Sequence, residues 1–169
     1  MARLIGFPNP VNELAARTVA AGVLLLAALT IVLATTVGTG TLWLTALLAY
    51  GFLARVLTGP RLSPLGQLAT RVVAPRLGPP RYVPGPPKRF AQAMGATMTV
   101  LAVVLHFGWR ADRAAIAVLG LIVVAATLES VFAYCIGCKI FAGLMRLGLV
   151  PDSVCLECAD ISRRLPQPA

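Results

Sequence analysis

Four blocks of the chain, about 18–37, 41–57, 90–107 and 114–134, are nearly free of charged residues. Each is close to the ~20 apolar residues that a helix needs to cross a hydrocarbon layer about 30 Å thick. This constrains the fold more than any motif does, because in lipid a segment must satisfy its own backbone polar groups, as a helix can. The expected fold class is an all-α membrane protein: a bundle of four transmembrane helices with a Pro-rich cytoplasmic loop carrying an interfacial helix. Composition agrees, since 12% of residues are charged and the mean hydropathy is +0.83, whereas soluble chains carry about 25% charged residues. The run after Arg17 is longer than the apolar core of a signal peptide and is expected to remain as a span.

The loop at 58–89 holds eight of the thirteen prolines. No regular helix or strand runs through it all. Ser63 followed by Pro64 is a helix-start signature, and Leu65, Leu68, Ala69, Val72 and Val73 then form one apolar stripe. This predicts a short helix lying in the membrane interface, followed by an extended basic stretch along anionic headgroups. Residues 1–148 are read as the transmembrane domain and 149–169 as a cysteine-bearing tail.

Basic residues set the orientation. In the four-span arrangement Arg3, Arg17, the seven from Arg55 to Arg89, Lys139, Arg146, Arg163 and Arg164 share one side, and Arg110 and Arg113 lie on the other. Thirteen against two puts both termini and the Pro-rich loop of a multi-pass membrane protein on the cytoplasmic side. Trp43 and Trp109 then both fall at the outer interface. The net charge of +9 sits beside apolar blocks, which indicates lipid headgroups rather than nucleic acid.

All four cysteines form C-x-x-C pairs, Cys135–Cys138 and Cys155–Cys158. On the cytoplasmic side thiols are kept reduced, so a permanent disulfide is not expected. The favoured function is a membrane-anchored thiol-disulfide or sulfur-relay component. The first pair is expected to end the fourth span, where the helix dipole opposes thiolate while Lys139 and Arg146 favour it. Gly137 would supply the local freedom a disulfide needs. Asp152 is the expected N-cap of a second helix, placing Cys155 in its first turn, with Glu157 acting against thiolate. That makes Cys155 the favoured nucleophile, Cys158 the resolving thiol and Cys135–Cys138 the exchange partner. The alternative is a tetra-cysteine site for zinc, or less favourably an iron–sulfur cluster, formed by Cys135, Cys138, Cys155 and Cys158 and clamping the tail onto a scaffold or small transporter subunit. Packing alone explains one stray cysteine better than two such pairs.

Glu129 is the one acidic residue within the predicted spans, and an intramembrane carboxylate is costly enough to suggest a role. Its expected partners are Arg55 or the Gln92 amide. On a continuous helix Glu129 and Cys135 would lie some 120° apart, which disfavours a proton relay between them. His106 reads as an interfacial polar tip. Ala91-x-x-x-Gly95 offers a small-residue face for close helix approach, and a second copy of the chain is a candidate partner.

Pro86-Pro87-Lys88-Arg89-Phe90-Ala91-Gln92-Ala93-Met94-Gly95 before the third span, Cys135-Ile136-Gly137-Cys138 at the end of the fourth, and an Asn-containing N-terminal segment together form a fingerprint. It resembles the bacterial integral membrane family filed as domain of unknown function 4395, over about residues 9–145. The resemblance implies the four-span topology. Genes of such proteins often neighbour those of thioredoxin-like and sulfurtransferase proteins, which implies thiol or sulfur chemistry with such a partner. The second C-x-x-C lies beyond the region of resemblance.

Overall fold

The computed structural model describes residues 6–159. Arg3, Arg163 and Arg164 of the charge count lie outside the described residues, as do the end of the tail and the side chain of Glu157. Four helical segments are long and apolar enough to cross a membrane: Glu13–Thr36, Thr39–Thr58, Gly85–Phe107 and Asp112–Phe132.

Helix α1 (Glu13–Thr36) begins five residues earlier than its apolar block. The Asn12 side chain caps it by accepting the Leu14 N–H at 3.0 Å, and Glu13 faces the positive end of the dipole. Gly38, at φ +139°, turns the chain into a 3₁₀ segment at Thr39–Trp43 that leads into α2 (Leu44–Thr58).

Ser63 caps the next helix as expected, accepting the Gly66 N–H at 3.2 Å. Helix α3 (Pro64–Leu68) continues through a π-helical turn (Ala69–Val73) into α4 (Ala74–Leu77). The widened turn immediately precedes Pro75, which cannot donate a backbone hydrogen bond and would crowd the previous turn of a regular helix. The Leu65–Val73 stripe faces two ways. Leu68 and Val72 are exposed, while Leu65, Ala69 and Ala74 turn towards the bundle and the segment packs on α1.

Part of the Pro-rich piece is extended and paired with the N-terminal segment. Strand β2 (Tyr82–Val83) pairs antiparallel with β1 (Val11–Asn12) through Val11↔Val83 and Asn12↔Tyr82. The architecture is thus helical apart from one two-residue ladder.

Helix α5 (Gly85–Phe107) also starts five residues early. Pro86 and Pro87 occupy its first turn, where a missing N–H costs nothing. Helix α6 (Asp112–Phe132) follows, then α7 (Ile136–Arg146), a 3₁₀ turn at Asp152–Val154 and the four-residue α8 (Leu156–Ala159). Helix α5 lies between α2 and α6, α6 packs in turn on α1, and α7 docks on α5.

The packing is that of helices in lipid. Buried positions are dominated by small residues such as Ala27, Ala34, Ala54, Ala96, Ala102, Ala115 and Ala126, whereas Leu25, Leu29, Val32, Leu121 and Val124 point outward. Only 17–39% of each candidate span is buried. In water such a surface would be a severe aggregation liability. Small-residue interfaces let helices approach closely when lipid covers the rest.

At the end carrying Trp43 and Trp109, both exposed, His106 Nδ1 lies 2.7 Å from Asp112 Oδ1 and ties α5 to α6. At the opposite end Arg17 donates to the carbonyls of Ser130 and Val131 at 3.0–3.2 Å. Arg17 thereby satisfies the last turn of α6, and the cysteine pair follows directly.

Candidate functional site

The fourth long helix does not run through to the cysteines. Helix α6 stops at Phe132, and Ala133 adopts the left-handed conformation at φ 54°, ψ 24°. The chain reverses its local direction, and Cys135, with extended backbone, becomes the N-cap of α7. Its Sγ accepts the Cys138 N–H at 3.3 Å. The expectation that the first pair ends a helix is therefore corrected: it begins one. The dipole acts in the opposite sense and favours negative charge on the sulfurs.

Helix α7 is held against α5 at close quarters. A Cβ on Gly137 would lie 2.6 Å from both the Cα and the Cβ of Ala91. Phe90 and Phe141 stack tilted with ring centroids 5.7 Å apart on the same seam. Gly137 thus serves close approach rather than the conformational freedom expected of it, since it sits in regular helix. The Ala91/Gly95 face does admit neighbours, and two of them. Ala91 receives Gly137, and Gly95 receives the Phe52 ring of α2.

The first turn of α5 also corrects the pairing of Glu129. Its carboxylate binds Lys88 Nζ at 2.5 Å, and both side chains are largely buried. Arg55 is engaged elsewhere. It donates from Nε to Gln92 Oε1 at 2.9 Å and from Nη1 to Ser63 Oγ at 3.2 Å, and its guanidinium lies over the Phe52 ring. Arg55 and Gln92, the two partners expected for Glu129, therefore bind each other instead. Lys88 was read only as a topological charge. The available signal was its level: a carboxylate one turn inside the hydrocarbon edge needs a cation at equal depth, and Lys88 is the first cation of the facing helix.

Glu129 and Cys135 do meet, because the break at Ala133 removes the 120° separation that a continuous helix would impose. Both line a cavity of about 330 Å³ between α1, α5 and α6, whose other polar lining residue is Gln92. The rest of its wall is apolar.

The two sulfurs of this pair are unequal. Hydrogen bonding between the Cys135 and Cys138 side chains, reinforced by the Lys88 charge, holds the Cys138 thiol below its ordinary value. The same bond, then burial and the nearby Glu129 carboxylate, pushes Cys135 up. Cys135 is 7% exposed and Cys138 is half-buried, so the retained proton resides on the sulfur that water reaches less. The acting cation is Lys88. Lys139, expected to play that part, lies over the Tyr134 ring instead. Alkylation of Cys138 followed against pH should therefore show a midpoint below the ~8.5 of a free thiol, and Cys135→Ala should move the midpoint up. An unchanged midpoint in that variant would contradict the assignment.

The second pair is closed: Cys155 and Cys158 form a disulfide, with Cys155 buried. Asp152 starts a 3₁₀ turn rather than a helix, and Cys155 instead precedes the four-residue α8. The dipole argument for Cys155 as nucleophile is lost with that longer helix. The two pairs nonetheless share one local placement, with the first cysteine just before a helix and the second at its third residue. Among the described residues no three His, Cys, Asp or Glu side chains gather in a way that could hold a metal. The four cysteines are thus not gathered into a common zinc or iron–sulfur site among the described residues.

A pair of helix-start cysteines beside an ion pair thus lies at one end of four helices of membrane-crossing length, the architecture of a multi-pass membrane protein. The family model described as "Domain of unknown function (DUF4395)" matches residues 11–146, and the chain belongs to that family. No curated protein and no solved structure matches it.

Proposed function

We propose that the chain is a component of the bacterial cell membrane, with both termini cytoplasmic, that exchanges electrons between its Cys135–Cys138 pair and the disulfide of a soluble thioredoxin-like protein. The supporting observation is the shared helix-start placement of the two C-x-x-C pairs, one open and the other closed. A C-x-x-C pair at a helix start thus occurs in this chain in both the dithiol and the disulfide form. Orientation rests on the thirteen-to-two distribution of Lys and Arg.

In the exchange, the Cys138 thiolate attacks one sulfur of the partner's disulfide. The Cys138–partner S–S bond forms as the partner's own S–S bond breaks, releasing a partner thiolate. Cys135 then loses its proton, with Glu129 on the same cavity wall as acceptor, and attacks Cys138. The Cys135–Cys138 bond forms, the mixed disulfide breaks and the second partner thiolate leaves. Two electrons pass from the pair to the partner, which takes up two protons. The reverse sequence reduces the pair. Sulfur relay is less well supported, because a persulfide on Cys138 would be attacked by the adjacent Cys135 and lost as sulfide.

Cys135→Ser lacks the resolving thiol and should accumulate a mixed disulfide with an added oxidised thioredoxin-like protein, seen as a reductant-sensitive band. Cys138→Ser should give none. A band of equal strength from Cys138→Ser would refute the assignment of the nucleophile.

A further inference from the structure

Arg55 is 5% exposed, and it holds a full charge at the end of the bundle that bears the cysteines. The ion pairs among the described residues are Lys88–Glu129 and His106–Asp112, and neither includes Arg55. Nε and Nη1 are satisfied by the neutral acceptors Gln92 and Ser63, while Nη2 is buried without a hydrogen-bond partner. A buried cation left with neutral partners and one orphaned donor is expensive, and its natural complement is an anion.

The space for one is present. A cavity of about 300 Å³, separate from the thiol cavity although Gln92 borders both, is lined by Arg55, Lys88, Gln92 and Asn12, with Phe7 and Pro10 among its apolar wall residues. No carboxylate lines it. The start of α1 also borders it, and the dipole of this 24-residue helix adds positive potential there. The helix end is supplementary to the buried, unsatisfied guanidinium. We propose that this cavity binds an oxyanion of the phosphate type, with the Arg55 guanidinium on its wall as the principal cationic partner. The cavity exceeds the needs of one tetrahedral anion, and its mixed walls suit a phosphate bearing an apolar substituent. A free phosphate and the headgroup of an anionic lipid share this chemistry. The inference is independent of the thiol reading.

The test uses the full-length protein in maltoside detergent, titrated separately with inorganic phosphate, phosphatidylglycerol and zwitterionic phosphatidylcholine. Thermal unfolding and native mass spectrometry are the readouts. At a hundredfold excess over Kd a ligand should raise the unfolding temperature by roughly 5 °C or more. Stabilisation by phosphate identifies a free anion. Stabilisation by phosphatidylglycerol with a retained one-to-one adduct, and none by phosphatidylcholine or phosphate, identifies a lipid headgroup. Arg55→Gln should weaken the response at least tenfold. Should that variant not fold, Thr70→Trp, at an exposed residue bordering the cavity, blocks the site with Arg55 intact and should abolish the response. No response from the wild-type protein to either anion, or an undiminished response in a folded variant, overturns the proposal.

Discussion

Lys88→Met is expected to destabilise the protein by about 3 kcal/mol, the usual scale for leaving one member of a buried ion pair uncompensated. Lys88 Nζ and Glu129 Oε1 are 2.5 Å apart, with side chains only 12% and 16% exposed, so solvent cannot take over the role of the lost cation. For a chain of this length the unfolding temperature in detergent should fall by roughly 6–12 °C. Glu129→Gln should be milder, because the amide can still accept from Lys88 and the long lysine stem can carry a free ammonium towards water. The double variant Lys88→Met with Glu129→Leu removes both charges and should recover most of the loss, as apolar replacements of buried pairs generally do. If the double variant were as unstable as Lys88→Met alone, the ion pair would not be what holds α5 to α6 at this level. Lys88→Met should also raise the alkylation midpoint of Cys138, because the Lys88 charge contributes to holding that thiol low.

Gly137→Val is expected to have a comparably large effect, concentrated on one helix. The first added carbon already lies 2.6 Å from Ala91 Cα, a backbone atom that cannot swing aside. Overpacking of this kind costs about 1–3 kcal/mol when neighbours yield, and here α7 as a whole must lift away from α5. The readout is Cys135. Buried in the wild-type fold, it should become open to a bulky maleimide in Gly137→Val, with the four long helices intact by circular dichroism. Gly137→Ala should be intermediate, and adding Ala91→Gly should restore it in part, since that removes the clash with Cβ but not with Cα. Continued protection of Cys135 in Gly137→Val would contradict the close-packed seam.

The four long helices were legible because hydrophobic blocks of membrane length are a strong and local signal. Their starts were not. Asn12 and the Pro86-Pro87 pair are signals of helix initiation, but the spans were bounded by their apolar blocks, and Pro86 and Pro87 were counted with the Pro-rich loop. The largest departure, the break between α6 and α7, rests on Ala133 in a left-handed conformation. Alanine carries no signal for that geometry as glycine or asparagine would, so a continuous helix was the default. Everything that followed from continuity was reversed with it: the sign of the dipole at Cys135, the angular separation of Glu129 from Cys135, and the preference for Cys155. Pairing depends on depth and rotation of facing helices, which sequence order does not encode. Hence Arg55 and Gln92 were expected to meet Glu129 but meet each other, and Lys88–Glu129 was missed. The fingerprint before the third span was legible as a motif, and the fold explains its members singly: Lys88 meets Glu129, Phe90 meets Phe141, Ala91 meets Gly137 and Gln92 meets Arg55.

The central claim is that Cys135 and Cys138 form a reversible dithiol–disulfide couple. The direct measurement is equilibration of the purified protein in a series of thiol–disulfide buffers, with acid quenching, alkylation and mass mapping of each pair. The account predicts that Cys135–Cys138 closes in a single two-electron transition, within the roughly −270 to −120 mV spanned by thioredoxin-like proteins, and reopens completely on reduction. A pair that stays reduced across the series, or that oxidises only by bridging separate chains, would contradict it.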